Sequence, residues 1–518
     1  MKNLSRVFSA EIEGINARLI EVETDINVGL HAFTIVGLAD KALSEAKERV
    51  NSALKNIGVK APNRENRKIV VNLAPADIKK TGSQYDLAIA IGYLLATEQI
   101  RRFDTAGKIF VGELALDGSL RSVKGALNIA RLAKQKDFQY LFLPSQNAKE
   151  AAVVPGLKII PVKDLKLLIA YLEGKLKAPL QTETEIQYKL PEDIPDFSEI
   201  KGQNHAKRAL MIAAAGGHNL LMVGPPGTGK SMLAQSLGSI LPQLTLNEVI
   251  EVTQIYSAAG VLGDKPYISI RPFRSPHQTA SSVAIVGGGQ DPRPGEISLA
   301  HRGILFLDEL PEFRRDILEA LRQPLENGKA FIARAKRNLV FPARFTLIAA
   351  MNPCPCGYYG DDSSTGGKTC TCTAYEVFRY QKKISGPLLD RIDIQITLPR
   401  ISIHELRGAA DANHGRSELV REEVIRARRR QAVRFSESNA NIFTNSEMSS
   451  KDCDKIITLE KDAEEFIREV FDKSLISPRG YYRILKTART IADLDGIDNV
   501  TRDHLAEAFS YRVREVTM

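Results

Sequence analysis

No apolar run in these 518 residues is long enough to cross a bilayer. The longest candidates, residues 87–96 and 210–215, fall far short of the roughly 20 that a membrane helix requires, so neither a membrane span nor a membrane partner is expected. The opening MKNLSRVFSAEIEG has no apolar core and no small-residue cleavage site. No secretory signal is read there, and the cytoplasm is the expected compartment. Internal repeats and low-complexity tracts are also missing, which excludes a repeat array. Cysteine is scarce: of five, four fall between Cys354 and Cys372 and Cys453 stands alone. In a reducing compartment such a cluster points to metal rather than to disulfides. Acids are outnumbered, 62 against 71 Lys and Arg, and the net +9 permits a polyanionic partner, nucleotide or nucleic acid.

What is present is the composition of a soluble globular chain, 43% hydrophobic and 26% charged, too long for one core. Residues 1–176 alternate short β-rich runs with helical periods, the pattern of a mixed α/β domain. Residues 68–73 (KIVVNL), 108–111 and 139–143 read as strands, 40–54 as an amphipathic helix. The polar, proline-punctuated stretch 177–197 reads as a linker. In 198–400 the strands 219–223, 304–307 and 345–350 are apolar on both faces and alternate with helical segments such as 203–215 and 231–241. That pattern predicts a parallel sheet covered on both sides, an αβα sandwich. Beyond 400 the strand signals vanish, and helical periods at 405–434, 462–471, 478–494 and 501–512 predict an all-α domain over 401–518.

Gly224-Pro225-Pro226-Gly227-Thr228-Gly229-Lys230-Ser231 satisfies G-x-x-x-x-G-K-[ST] in full, between a strand and a helix. Glycines there let successive N–H groups face phosphate oxygens, and the helix N-terminus adds positive potential. Lys230 is the expected contact to the β- and γ-phosphates and Ser231 a Mg²⁺ ligand. The strand at 304–307 runs into Asp308-Glu309. Asp308 suits the Mg²⁺ shell, and Glu309 suits the base that polarises the attacking water, so the pair implies ATP hydrolysis rather than binding alone. Asn352 follows the strand at 345–350, where an amide could orient that water or sense the γ-phosphate. Arg391 follows an apolar turn, where a neighbouring subunit's γ-phosphate could be met. Arg479 opens a helix in the all-α domain. Taken singly, each of these three reads more readily as a surface polar residue, a salt-bridge partner or a cap; their order and spacing turn the reading towards the site.

GPPGTGKS, ILFLDEL, AAMNPCPCG, SGPLLDRID and SPRGYYRILKTARTIADL together resemble the ComM/YifB family of magnesium chelatase-like AAA+ ATPases, over nearly the whole chain. The resemblance implies that Asp308 and Glu309 are the acidic pair, Asn352 the first sensor, Arg391 (or a nearby arginine such as Arg379) the finger, and Arg479 the second sensor. It also implies a homo-hexameric ring, since the finger comes from the next protomer. Residues 36–40, 80–90 and 111–114 are similar to the Lon-protease-like domain also found in RadA-type recombination proteins. Gln84 stands where the serine nucleophile would be, Ser83 is one position off, and Lys124 alone makes no Ser-Lys dyad. This domain is therefore read as a non-proteolytic binding or ring-forming module.

Two insertions remain. Cys354-x-Cys356 and Cys370-x-Cys372, with 13 residues between, offer four thiolates to one Zn²⁺ as a structural brace beside Asn352. The alternative is four reduced cysteines on a glycine-rich loop. Residues 327–344 read as a β-hairpin exposing Lys329, Arg334, Lys336, Arg337 and Arg344 against one acid, Glu326. A ring of such hairpins would line a pore suited to DNA. The glycines at 287–289, within 244–299, are a second candidate for the pore. The function expected from the family is an ATP-driven DNA motor promoting branch migration in homologous recombination or natural transformation, with recombination proteins as partners. The alternative is the motor subunit of a magnesium chelatase, remodelling a protein. An ATP-dependent protease conflicts with the missing nucleophile.

Overall fold

The computed structural model describes residues 4–37, 41–62, 66–78, 80, 82–188, 194–289, 292–334, 337–360, 369–400, 416–437, 442–473 and 476–512, with backbone alone at 41–44, 333–334 and 337. The chain forms two compact units: 1–187 with 245–269, and 188–244 with 270–518.

The first unit is built on a seven-stranded mixed sheet. Leu4–Glu13 and Asn16–Val28 pair antiparallel from Leu4↔Asp25 to Glu13↔Asn16. Along the second strand Ile20, Val22, Thr24 and Ile26 are buried while their neighbours are less so, the period of two that puts alternate side chains on one face. Arg67–Ala74 adds on one side, followed by Ala32–Val36. Lys108–Phe110, Tyr140–Pro144 and Lys158–Val162 continue the other side in parallel. Helix Asp86–Ala96 is buried along its whole length. Its even apolar pattern follows from being covered all round.

Residues 245–269, placed by the sequence inside the 198–400 core and near a pore, fold instead into this first unit. Helix Leu246–Ala259 begins at a capping box of Thr245 and Glu248. Its buried Val249, Val252 and Ile255 supply an apolar face. Its polar residues are matched as well: Ser257 Oγ donates to Glu150, and Asn128 Nδ2 donates to the Gln254 carbonyl at 3.3 Å. A hydrophobicity profile along the chain carries no record of such distant polar partners.

In the second unit Phe273–Arg274, Ile304–Leu307, Thr346–Met351, Leu220–Val223 and Ile394–Thr397 lie in that order, all parallel. Helices Asn204–Gly216 and Lys230–Ile240 pack on the sheet, and one core joins them to the C-terminal helices Ser417–Glu437, Lys461–Asp472, Pro478–Asp495 and Arg502–Ser510. The architecture is α/β with an all-α C-terminal region. No helix among the described residues is long and apolar enough to cross a membrane.

Candidate nucleotide-hydrolysis site

Because the three central strands are parallel, their carboxyl ends place Gly224, Asp308 and Asn352 at the same edge of the sheet. The phosphate loop is joined to the neighbouring strand by Gly224 N–H donating to the Met351 carbonyl at 3.2 Å. Gly229 enters the helix at φ +81°, in the left-handed region where a side chain is strained. Lys230 Nζ turns back over the loop, donating to the Gly224 and Pro225 carbonyls at 2.7 and 2.9 Å and to Asn352 Oδ1 at 3.1 Å. Burial lowers its ammonium pKa, with Asp308 and Glu309 pulling the other way. Ser231 Oγ donates to Asp308 Oδ2 at 2.9 Å. Adjacent ligands of an octahedral Mg²⁺ bound at about 2.1 Å lie at about that separation, so these two oxygens fit the ion that ATP brings.

Glu309 is exposed, with φ +51° and ψ +47°. A non-glycine residue held in the left-handed region costs on the order of 1–3 kcal/mol, and such strain collects at functional sites. Two hydrogen bonds fix it: its N–H donates to Asp308 Oδ1 at 2.9 Å, and its carbonyl accepts from Glu312 N–H at 2.8 Å. The acid pair is thereby divided, Asp308 bonded to Ser231 and Glu309 exposed. Tyr380, which the sequence did not single out, lies within the field of Glu312, Glu309 and Cys354. Burial first, and those neighbours after it, push its phenol up to about 12.

The arginines are less simply arranged. Arg391 is held within its own chain by Glu326 and by the Pro387 carbonyl. Arg379 is exposed on helix Ala374–Gln381, and Arg479 is exposed in the first turn of helix Pro478–Asp495. It is Arg483, one turn further, that reaches the core sheet, donating to Asp393 Oδ1 at 2.8 Å. The other Asp393 oxygen lies 3.3 Å from His218 Nδ1, and His218 Nε2 lies 2.8 Å from Thr490 Oγ1. Burial alone would raise the Asp393 pKa, but Arg483 and then His218 hold it well below the carboxylate range. No local motif marks this buried ion pair. The only trace was an acid two residues after Arg391. Since the folded value lies below the unfolded one, near ~3.9, the contribution is complete above about pH 5 and is lost as pH falls through the folded value. Thermal melts should therefore show Asp393→Asn destabilised by about 3–5 kcal/mol at pH 7. The gap to the parent chain should narrow as the pH falls towards 3.

Cys354, Cys356, Cys370 and Cys372 converge, with all four Sγ atoms within 4.8 Å of one another. The hairpin also forms: Lys329–Arg334 pairs with Arg337–Pro342, from Lys329↔Pro342 to Arg334↔Arg337. Lys329 is exposed. Lys336 lies outside the described residues, as does Gln290 after the three glycines, and the Arg334 and Arg337 side chains are likewise undescribed. Arg344, expected among the exposed cations, lies beyond the hairpin. Its guanidinium sits 3.3 Å from Glu447 and 5.6 Å from the Phe443 ring centre. Sequence reading missed a hydrophobic pair on the exposed face, Phe331 opposite Val340, 44% and 39% exposed. In the first unit Ser83 donates to Glu113, Gln84 Nε2 donates to Glu11 at 2.9 Å, and the Lys124 stem packs at Gly260. Ser83 and Lys124 are thus engaged with different partners.

Three family models match the chain: "Subunit ChlI of Mg-chelatase" over residues 22–147, "Magnesium chelatase, subunit ChlI" over 196–406, and its C-terminal region over 414–512. Competence protein ComM of Haemophilus influenzae is 44% identical across 98% of this chain and 97% of its own length. The uncharacterized protein YifB of Escherichia coli is 41% identical across 98% and 97%. The magnesium-chelatase 38 kDa subunit of Rhodobacter capsulatus is 24% identical over 61% of this chain and 87% of its own length. With likeness of this extent, and the phosphate loop, acid pair and Asn352 on adjacent strand ends, the chain belongs to the ComM/YifB family of magnesium chelatase-like AAA+ ATPases.

Proposed function

We propose that this chain is an ATP-driven motor that works on DNA as a ring of six, promoting branch migration in homologous recombination or natural transformation alongside recombination proteins. ATP with Mg²⁺ is the fuel. When bound, the ion screens charge on the transferring phosphoryl group. Lys230 and the loop N–H groups hold the phosphates, Asn352 orients the attacking water, and Glu309 takes its proton. Arg391 of one protomer stabilises the charge developing on its neighbour's phosphate, with Arg479 as a second contact. The four cysteines hold a structural Zn²⁺. The first unit serves as a non-proteolytic module in ring or substrate binding.

The observation that carries the DNA reading is the exposed face of the hairpin, where Lys329 lies beside the Phe331–Val340 pair. A cation tracks a phosphate backbone, and an exposed ring gives bases a surface to stack on. Similarity to ComM, a protein named for competence, supports the same reading. The two contributions separate experimentally. Lys329→Ala is expected to reduce the slope of log affinity against log salt for single strands by about 0.7. Phe331→Ala is expected to weaken binding by about 1–3 kcal/mol with the slope unchanged. Fluorescence anisotropy across a salt series reads both. The function itself is tested by migration of a labelled three- or four-stranded junction with ATP.

The chelatase-like reading, a motor that remodels a protein partner, draws on the family models and on the 24% identity to the 38 kDa subunit. ATPase stimulation by a partner carrying a metal-binding domain, with none by DNA, would favour it.

A further inference from the structure

The four cysteines stand in an unusual relation to the nucleotide site. Cys354 is fully buried and lies two residues beyond Asn352, whose amide accepts from Lys230. The chain then turns, with Gly357 N–H donating to the Cys354 carbonyl at 3.0 Å. The turn rests on the phosphate loop: a Cβ at Gly357 would lie 2.7 Å from Cδ and 2.9 Å from Cγ of Pro226. That ring is part of the loop backbone, so it cannot swing aside. Gly357 also has φ +89°, which disfavours any side chain there. On the far side, helix Ala374–Gln381 starts directly after Cys372 and Thr373. Its last residue returns to the same turn, Gln381 Nε2 donating to the Pro353 carbonyl at 3.0 Å.

The sulfur geometry is that of a closed metal site. Sγ of Cys354 lies 3.3 Å from that of Cys356 and 3.8 Å from that of Cys370, and Cys356 lies 3.5 Å from Cys370. A tetrahedron with Zn–S bonds of about 2.3 Å has edges of about 3.8 Å. Bonded sulfurs would lie near ~2.05 Å, so these are not disulfides. Four protein ligands leave no open position, which excludes a hydrolytic role for the ion.

We propose that the four thiolates hold one zinc-class divalent ion whose task is to set the phosphate loop. By fixing the 354–357 turn against Pro226 and the 374–381 helix against Pro353, the ion positions Asn352 and the loop for turnover. The effect on turnover rests on the ATPase reading above; the binding of the ion does not.

The test uses the full chain and two variants. Metal content by plasma mass spectrometry should give one zinc per protomer in the parent and none in Cys356→Ser/Cys370→Ser. Both ATP turnover and affinity for a fluorescent ATP analogue should fall in that variant by about tenfold, the lower end of what loss of a supporting shell costs. Gly357→Ala should keep its zinc yet show the same falls, because the thiolates remain and only the contact with Pro226 is disturbed. Chelated parent protein should recover with Zn²⁺ and not with added Mg²⁺. A parent without bound metal and with four titratable thiols overturns the site. Full turnover and affinity in the metal-free variant overturn the brace. Should the parent hold zinc and bind the analogue but not hydrolyse ATP, the ATPase reading fails. Analogue affinity then decides the brace alone.

Discussion

Glu309→Gln should bind ATP as the parent does and cleave it about 10²–10⁴ times more slowly, the range a positioned general base contributes. The substitution removes the proton acceptor and little else. Lys230 keeps its hold on the Gly224 and Pro225 carbonyls, and Ser231 stays 2.9 Å from Asp308. Backbone φ at 309 is +51°, a strain that Gln bears as Glu does. The two hydrogen bonds that fix the residue use its N–H and carbonyl rather than its carboxylate. Binding and cleavage should therefore part company, the first read with a fluorescent analogue and the second by single-turnover release of phosphate. Cleavage at the parent rate would remove Glu309 from the base role.

Arg391→Ala should be as severe or more so, about 10³–10⁵-fold in turnover, the value of an arginine that meets a transferring phosphoryl group. The geometry gives this arginine a resting place. Glu326 and the Pro387 carbonyl hold its guanidinium, while its buried Nε has no partner among the described residues. Glu326 belongs to helix Arg322–Asn327, which leads directly into the hairpin at Lys329. The residue expected to act across the interface and the element expected to touch DNA are thus one ion pair apart. ATP affinity of Arg391→Ala should stay close to that of the parent, because the residues cradling the phosphates are untouched.

How much of this was legible beforehand depended on whether the signal was local. The phosphate loop, Ile304–Leu307 with its acids, and the strand before Asn352 were readable because a short buried run leads directly into each group of candidate-site residues. The four cysteines were readable from spacing, and their convergence agrees with it. The hairpin was readable from Asn327-Gly328 and alternation, but not its exposed Phe331–Val340 pair, since alternation leaves open which face is outward. Long-range pairing was lost altogether. Nothing near Arg483 announces Asp393, ninety residues away. Nothing in 245–269 announces Glu150 or Asn128 as its partners. Arg344 was counted with its basic neighbours because the Glu447 that claims it lies in the C-terminal helical region.

If each nucleotide is cleaved only with an arginine from the adjacent protomer, mixing two inactive proteins should restore activity. Glu309→Gln supplies the arginine but has no base, whereas Arg391→Ala has the base but no arginine to lend. In rings formed from an equal mixture, about a quarter of the interfaces pair an intact site with an intact arginine. ATPase activity should then rise well above that of either variant alone. If the mixture stays as inactive as its components while parent protein assembled under the same conditions hydrolyses ATP, the arginine does not act across the interface.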